Sequence, residues 1–439
     1  MKWAAVVAAV VLVAACAAPV PAEPTPRPIA APEPSPTPPA VVVQAVQTAA
    51  PYDPGVPAIV VRALASPKPV GLPLSILAGR SGADVRVTLD RLLQEQVYLT
   101  ALGMDAASNA RLDDLLGVSS ALDQGAIVLA EVLWAVKGQP QGESFLAAWR
   151  GQNADLLQYA QGQTTAAKAD LARRGSAIAE QLALGDLPAS QIEDLVRTRN
   201  QAQLGLADST MSQKSLDVAQ RVRVVASDSD DLARPLATAI ATEVPTQAPA
   251  PTEGPDVDVR LSLNRLLLEQ VYLTGAAVEA AADGRVRDAQ ARVSAASDSA
   301  GELGQQLAEV WGPDLGSALA DRERAETATL VTLAAGGNRA QATTDLGRLR
   351  GEIDGLLAAA NPLLPKGVLS QQLRPIDQAV LSASDAFTAR DFTTAYARLR
   401  EAARATQKPA DTVALSIIDR YPGRYLLLPT PVPTDSPPG

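Results

Sequence analysis

The sequence contains no histidine and only one cysteine among its 439 residues. Without an imidazole, the chain lacks the usual acid–base catalyst at neutral pH, the base of a Ser-His-Asp triad and the commonest protein ligand of zinc, copper and haem iron. A single cysteine excludes an internal disulfide, a thiolate zinc site and an iron–sulfur cluster. These absences predict a protein that is not an enzyme and that holds neither a metal nor a cofactor.

Aromatic residues are also scarce, with 4 Trp, 7 Tyr and 3 Phe, and the formal net charge is -10. The chain therefore offers neither the aromatic stacking platforms nor the basic surface that bind nucleic acids. With 47% hydrophobic and 20% charged residues, its length allows two or three globular domains, each with its own core. We expect a folded protein whose partners do not include nucleic acids.

The chain begins with an apolar segment, residues 1–16, which carries one lysine and ends at Cys16. This segment is too short for a stable membrane span, and Val13-Ala14-Ala15-Cys16 resembles the bacterial lipobox, whose cysteine is acylated after cleavage. Two or three acyl chains anchor a protein firmly. The sequence predicts a lipoprotein signal peptide and a lipid-anchored protein on the extracytoplasmic face of a bacterial cell membrane. An ordinary secretory signal peptide with an incidental cysteine is the alternative.

Proline-rich segments divide the remainder of the chain, because proline disrupts helices and favours extended polyproline II. Residues 17–82 are predicted to be a tether and an irregular segment, and no firm structure is assigned to 40–82. A second proline-rich segment, 243–255, is predicted to be a linker, and 425–439 a tail. The predicted domains are the blocks between them, 83–242 and 256–424.

The two blocks begin with nearly the same sequence. Residues 84–100 (DVRVTLDRLLQEQVYLT) and 258–274 (DVRLSLNRLLLEQVYLT) align without gaps at an offset of 258 − 84 = 174, with 13 of 17 positions identical. The match indicates that the blocks are tandem duplicates.

Apolar residues recur at helical spacing in both blocks, and no stretch shows the sustained two-residue alternation of a strand. The sequence predicts an all-α fold: two tandem antiparallel helical bundles of about six helices each. The predicted helix starts are Ser144, Thr165, Pro188 and Ser212 in the first block, and Arg285, Pro313, Asn338, Pro365 and Asp391 in the second.

One polar residue interrupts the apolar stripe of the first helix in each block: Gln96 and, at the matching position, Gln270. A buried amide without partners costs about 1 to 3 kcal/mol, so these side chains need hydrogen bonds. Two hypotheses remain open, a buried amide that fixes the helix register and a polar group that lines a ligand cavity. Glu95 and Glu269, each one turn after an arginine, are expected to form surface ion pairs.

The motifs LLQEQVYLT at 92–100 and FLAAWR at 145–150 resemble a family of bacterial envelope helical-bundle proteins, loosely labelled copper amine oxidase-like. Members usually carry Glu-His in the first helix and Trp-Arg-x-His in the third. This chain has Gln96 and Gln270 in place of the first histidine, and Gln152 in place of the second. In the second block the latter motif aligns with 321–324. The resemblance therefore implies the family's scaffold without its histidines, and amine oxidase chemistry, which needs three histidines and an Asn-Tyr motif, is excluded.

These observations lead to a non-enzymatic, lipid-anchored envelope protein that acts as a binding or structural module. The alternative is a solute-binding or sensor domain with a polar cavity in each bundle, lined by Gln96, Gln152 and Gln270. Catalysis that uses carboxylates or an organic cofactor is the third hypothesis. The expected partners are the membrane, through the lipidated N-terminus, and a protein or small molecule that the sequence does not identify.

Overall fold

The computed structural model describes residues 81–244 and 251–426. Within these ranges the chain is all-α and contains no strand, as the sequence predicts. The predictions for the signal peptide with Cys16, for most of the tether, for the centre of the linker and for the tail beyond residue 426 lie outside the described residues.

We call 81–244 the first half and 251–426 the second half. The helices of the first half are α1 (Gly82–Ser108), α2 (Leu112–Lys137), α3 (Gln139–Ala160), α4 (Thr164–Leu182), α5 (Ala189–Met211), α6 (Ser215–Ser227) and α7 (Ser229–Glu243). Those of the second half are α8 (Pro255–Ala282), α9 (Val286–Trp311), α10 (Pro313–Ala334), α11 (Arg339–Ala360), α12 (Val368–Thr388), α13 (Phe392–Ala405), α14 (Gln407–Arg420) and α15 (Pro422–Tyr425).

Local sequence explains several of the helix starts. The Ser81 hydroxyl accepts a hydrogen bond from the Asp84 amide, and the Asp84 carboxylate accepts one from the Ser81 amide, so that α1 begins in a capping box. Asn338 caps α11 through its side chain, and Pro313 begins α10. Ser144 is wrong as a helix start, since α3 begins at Gln139 with a proline in its first turn.

The matching helices α1 and α8 lie side by side and are buried along most of their length. Arg260 near the start of α8 binds Asp84 near the start of α1, at 2.6 Å. Arg285, just beyond the end of α8, lies 3.4 Å from Asp105 near the end of α1. The two central helices therefore run in the same direction.

The remaining helices surround this central pair and cross between the halves. Helix α6 of the first half packs on α9 of the second, and α13 of the second half packs on α2 of the first. All described residues belong to one compact unit. The predicted arrangement as two bundles is thus not confirmed. The halves share an interface because neither set of outer helices alone covers α1 or α8.

Among the described helices, α2 is long and apolar enough to cross a membrane by length and composition. Just over half of its most apolar stretch, 56%, is buried inside the fold, as in the core helix of a soluble protein. Leu115, Val118 and Leu122 on this helix belong to the buried core.

Candidate functional site

Gln96 lies at the centre of a buried hydrogen-bond network in the first half. Its Oε1 accepts hydrogen bonds from Trp149 Nε1 at 3.0 Å and from Asn153 Nδ2 at 3.1 Å. Its Nε2 donates to the Leu122 carbonyl at 3.3 Å. Both ends of the amide are therefore satisfied by the protein itself, which agrees with the hypothesis of a register-fixing core amide.

Gln152 is fully buried beside this network, yet neither its Oε1 nor its Nε2 has a protein partner. The same is true of Gln203 on α5. One turn earlier, the Arg199 guanidinium stacks on Trp149 at 4.9 Å and makes no ion pair within the described residues, and burial lowers its pKa to about 10. The core of the first half thus holds buried polar groups that have no hydrogen-bond partner within the protein.

The corresponding core of the second half is charged. Gln270 Nε2 donates to Thr327 Oγ1 at 3.0 Å, while its Oε1 has no partner. Arg350 binds Glu326 at 2.5 Å and lies 3.5 Å from Glu323. Burial raises the pKa of both glutamates, and the guanidinium opposes that shift.

The contacts also correct the alignment of the third helix in each half. Gln96 with Asn153, and Gln270 with Thr327, are hydrogen-bonded pairs separated by 57 residues. The counterpart of Gln152 is therefore residue 326, at the constant offset of 174, and not residue 324 as the family motif suggests.

The predicted surface ion pairs of the central helices are wrong. Glu95 is buried and binds Arg400 from the second half. Glu269 is buried and binds Arg223 from the first half at 2.7 Å. Because the central helices are covered on nearly all sides, their charged residues find partners on the opposite half instead of in solvent.

Two tyrosines stack where α1 and α8 meet. The rings of Tyr98 and Tyr272 lie 5.3 Å apart and are nearly parallel, at 4°. The Tyr98 hydroxyl donates to Glu269 at 3.0 Å, whereas the buried Tyr272 hydroxyl has no partner. These are matching positions, since 272 − 98 = 174, so the two halves meet through equivalent residues.

A charged cluster closes the same interface near the ends of α1 and α8. Arg292 binds Asp105 and Glu279, each at 2.6 Å, and Arg111 binds Asp105 at 2.8 Å. Burial by itself would raise the pKa of Asp105, but the arginines, Arg292 foremost, hold it below its usual range. This network fixes the ends of the central helices relative to one another.

A cleft of 290 Å³ opens between the halves beside these tyrosines, and we call it the inter-half cleft. Its walls come from α1, α5 and α6 of the first half and from α8 and α9 of the second. The apolar part includes Leu102, Ala219 and Leu273, while Asp105, Lys214, Arg287, Asp288 and Arg292 supply charge. None of the three glutamines predicted to line a cavity, Gln96, Gln152 and Gln270, lines it.

Helix α13 is the counterpart of α6, at an offset of 177. Arg400 and Arg223 (400 − 223 = 177) both bind the matching glutamates of the central helices. The residues just before each helix also agree, since Gln213 and Arg390 (390 − 213 = 177) both have positive φ, 54° and 60°.

At this offset, three cleft-lining residues of the first half correspond to three aromatic residues of the second. Thr210, Ser215 and Ala219 line the cleft, and their counterparts are Phe387, Phe392 and Tyr396. Those three rings form a cluster, with Phe387 edge-on to Tyr396 at 5.3 Å and to Phe392 at 6.3 Å. The space that these three rings fill in the second half is thus open at the corresponding place in the first half, where it forms part of the inter-half cleft.

No single motif marks this site in the sequence, so its residues were not among those predicted. The detectable signal was a difference between the two halves, three aromatic residues in the second against three small ones in the first. Among the residues that the structure describes, no cluster of three acidic or cysteine residues has the geometry of a metal site. No family model, curated protein or solved structure matches the chain, so the resemblance to the envelope family stays a prediction.

Proposed function

We propose that this protein is a non-enzymatic binding module, lipid-anchored on the extracytoplasmic face of a bacterial membrane, and that it holds a small organic molecule in the inter-half cleft. The observation that carries the proposal is the replacement of Phe387, Phe392 and Tyr396 by Thr210, Ser215 and Ala219 at corresponding positions. In a tandem duplicate, loss of filling side chains from one copy creates a site without rebuilding the scaffold.

The size of the cleft supports this proposal. An apolar cavity of about 150 Å³ takes up benzene, so 290 Å³ has room for a substituted ring. Its lining combines apolar side chains with a few polar groups, as is usual for small-molecule sites. A purely structural protein has no need for such an opening, since large side chains at the same positions close the equivalent groove.

The glutamine-lined cavity within a bundle is the second candidate, and one observation favours it. Gln152 and Gln203 are buried with all of their amide atoms unpartnered, which is costly unless a guest molecule or water binds them. The contacts of Gln96 favour the hypothesis of a register-fixing core amide, because the protein itself supplies hydrogen bonds to both ends of this amide. The cleft is therefore the stronger candidate.

The binding proposal is tested by filling the cleft with the side chain that closes its counterpart. Full-length protein and the Ala219→Tyr variant are purified from bacterial membranes in mild detergent, denatured, and the released small molecules are analysed by mass spectrometry. We expect the parent protein to release a compound that the variant lacks. Val224→Tyr, on the exposed face of the same helix, is the matched control and should retain it. Equal release from parent and Ala219→Tyr would contradict the proposal.

Membrane attachment is tested separately with Cys16→Ala. Because acyl chains at this cysteine are the proposed anchor, we expect the variant to leave the membrane fraction or to persist as uncleaved precursor. Fractionation and mass spectrometry of the N-terminus measure both outcomes. An unmodified mature N-terminus at another residue of the parent protein would refute the lipid anchor.

A further inference from the structure

We infer that the inter-half cleft binds a phenol, a planar ring whose hydroxyl donates a hydrogen bond to Asp288 Oδ1. This inference rests on the proposed binding function and adds the chemical class of the ligand. It follows from the contacts of Tyr396, the side chain that occupies the equivalent groove of the second half.

Tyr396 shows what the groove accepts. Its ring is fully buried and lies edge-on to Phe387, and its hydroxyl donates to Asp114 Oδ1 at 2.6 Å. A phenol is thus held by apolar walls around the ring and by one carboxylate at the hydroxyl. A hydrogen bond to an ionised acceptor is about twice as strong as one between neutral groups.

The same carboxylate is present in the cleft. Asp114 and Asp288 are matching residues, since 288 − 114 = 174, and each is the third residue of its helix. Oδ2 of each is bound by the arginine three residues earlier, Arg111 at 2.9 Å and Arg285 at 3.0 Å. In both cases Oδ1 accepts a hydrogen bond from a hydroxyl, that of Tyr396 at Asp114 and that of Ser215 at Asp288.

The space that Tyr396 fills in the second half is open in the first. Ala219 stands in place of the tyrosine and leaves its ring volume to the cleft. Asp288 Oδ1 accepts a hydrogen bond from Ser215 Oγ at 2.5 Å, so a small hydroxyl already stands where a phenol would donate. Because the serine hydroxyl turns about a single bond, a ligand hydroxyl can replace it at low cost.

Other ligand classes fit this geometry less well. A simple hydrocarbon ring cannot donate a hydrogen bond to Asp288 in place of Ser215, and an aryl ether presents only acceptors to the carboxylate. The hydroxyl group is therefore the feature that the site selects.

The test uses the full-length protein in mild detergent and three probes of similar size: 4-methylphenol, 4-methylanisole and toluene. 4-Methylphenol is the tyrosine side chain as a free molecule, and the anisole differs by methylation of its hydroxyl. Titration calorimetry or ligand-observed NMR measures each affinity. We expect 4-methylphenol to bind at least about tenfold more tightly than the other two, which corresponds to about 1.4 kcal/mol.

Two variants and one control variant locate the binding. Ala219→Tyr should abolish binding of 4-methylphenol, while Val224→Tyr should leave it unchanged. Asp288→Asn should reduce the preference for 4-methylphenol over toluene about tenfold without weakening toluene itself. The comparison of phenol with ether needs no variant, so the inference remains testable even if a substitution impairs folding.

The outcomes separate the inference from the proposed function. If toluene or the anisole binds as tightly as 4-methylphenol, or if 4-methylphenol does not bind, the phenol assignment is overturned. The proposed binding function falls only if Ala219→Tyr also fails to displace the compound that the protein releases after purification from membranes. Binding of 4-methylphenol that survives Ala219→Tyr would place it elsewhere and refute the inference.

Discussion

The matching glutamines of the central helices occupy equivalent positions in the two halves but have different surroundings. Gln96 has three hydrogen bonds, two of them from the side-chain donors Trp149 and Asn153. Gln270 has one, to Thr327, and that hydroxyl also bonds Thr274 at 2.9 Å. The Gln96 amide is therefore part of a connected hydrogen-bond network, whereas we expect the Gln270 amide to contribute little to the stability of the fold.

This difference predicts unequal effects of the same substitution. Gln96→Leu leaves the side-chain donors of Trp149 and Asn153 buried without an acceptor. Each such donor costs about 1 to 3 kcal/mol if the surrounding side chains do not move, so we expect the free energy of unfolding to fall by about 2 to 4 kcal/mol. Gln270→Leu removes an unsatisfied oxygen and adds apolar surface, so its effect should stay within about 1 kcal/mol. Urea unfolding followed by circular dichroism measures both. If both variants lost the same free energy of unfolding, the additional hydrogen bonds of Gln96 would add no stability.

At the scale of the helix, glycine determines how closely α9 and α10 approach. A Cβ built on Gly304 would lie 2.4 Å from the Gly316 carbonyl oxygen, and one on Gly316 would lie 2.2 Å from the Gly304 carbonyl oxygen. The two backbones are therefore in direct contact, which the chain achieves with small residues in place of large aromatic ones. On α11, by contrast, a Cβ on Gly351 would meet no atom within 4 Å.

A methyl group at Gly304 and one at Gly351 should therefore change the stability of the fold in opposite directions. Gly304→Ala forces the two helices apart, and we expect it to destabilise the fold by about 1 to 3 kcal/mol. Gly351→Ala, the control on an open helix face, should stabilise the protein by about 0.5 to 1 kcal/mol because alanine loses less backbone entropy. Chemical unfolding of both variants compares them. A neutral or stabilising Gly304→Ala would contradict the close contact.

At the scale of the whole molecule, the halves hold each other through buried charge. Glu95 of the first half binds Arg400 of the second, and Glu269 of the second binds Arg223 of the first. Breaking a buried pair by removing one partner costs about 3 to 5 kcal/mol, since it leaves an uncompensated charge. Separation of the halves would break both pairs and expose the stacked tyrosines.

We therefore expect the halves to remain associated after the chain between them is cut. A protease site inserted after Gln247 allows cleavage of the folded protein. The two fragments should elute together on gel filtration and unfold in one transition at the temperature of the uncut protein or slightly below. A site inserted after Ala335, in the turn between α10 and α11, is a control for cleavage within one half. Elution as two separate folded fragments would instead support independent bundles.

The sequence by itself determined the helical content and several helix starts, because capping residues, glycine, proline and apolar period act over a few residues. It also identified Gln96 and Gln270 as polar residues on an apolar stripe, and both are buried. It did not determine that α1 and α8 pack together, nor that Glu95 and Glu269 are buried. Those outcomes depend on contacts between residues more than 100 positions apart, as between Glu95 and Arg400. The cleft likewise exists only through tertiary structure, since Ala219 leaves a vacancy only when the partner half supplies the opposite wall.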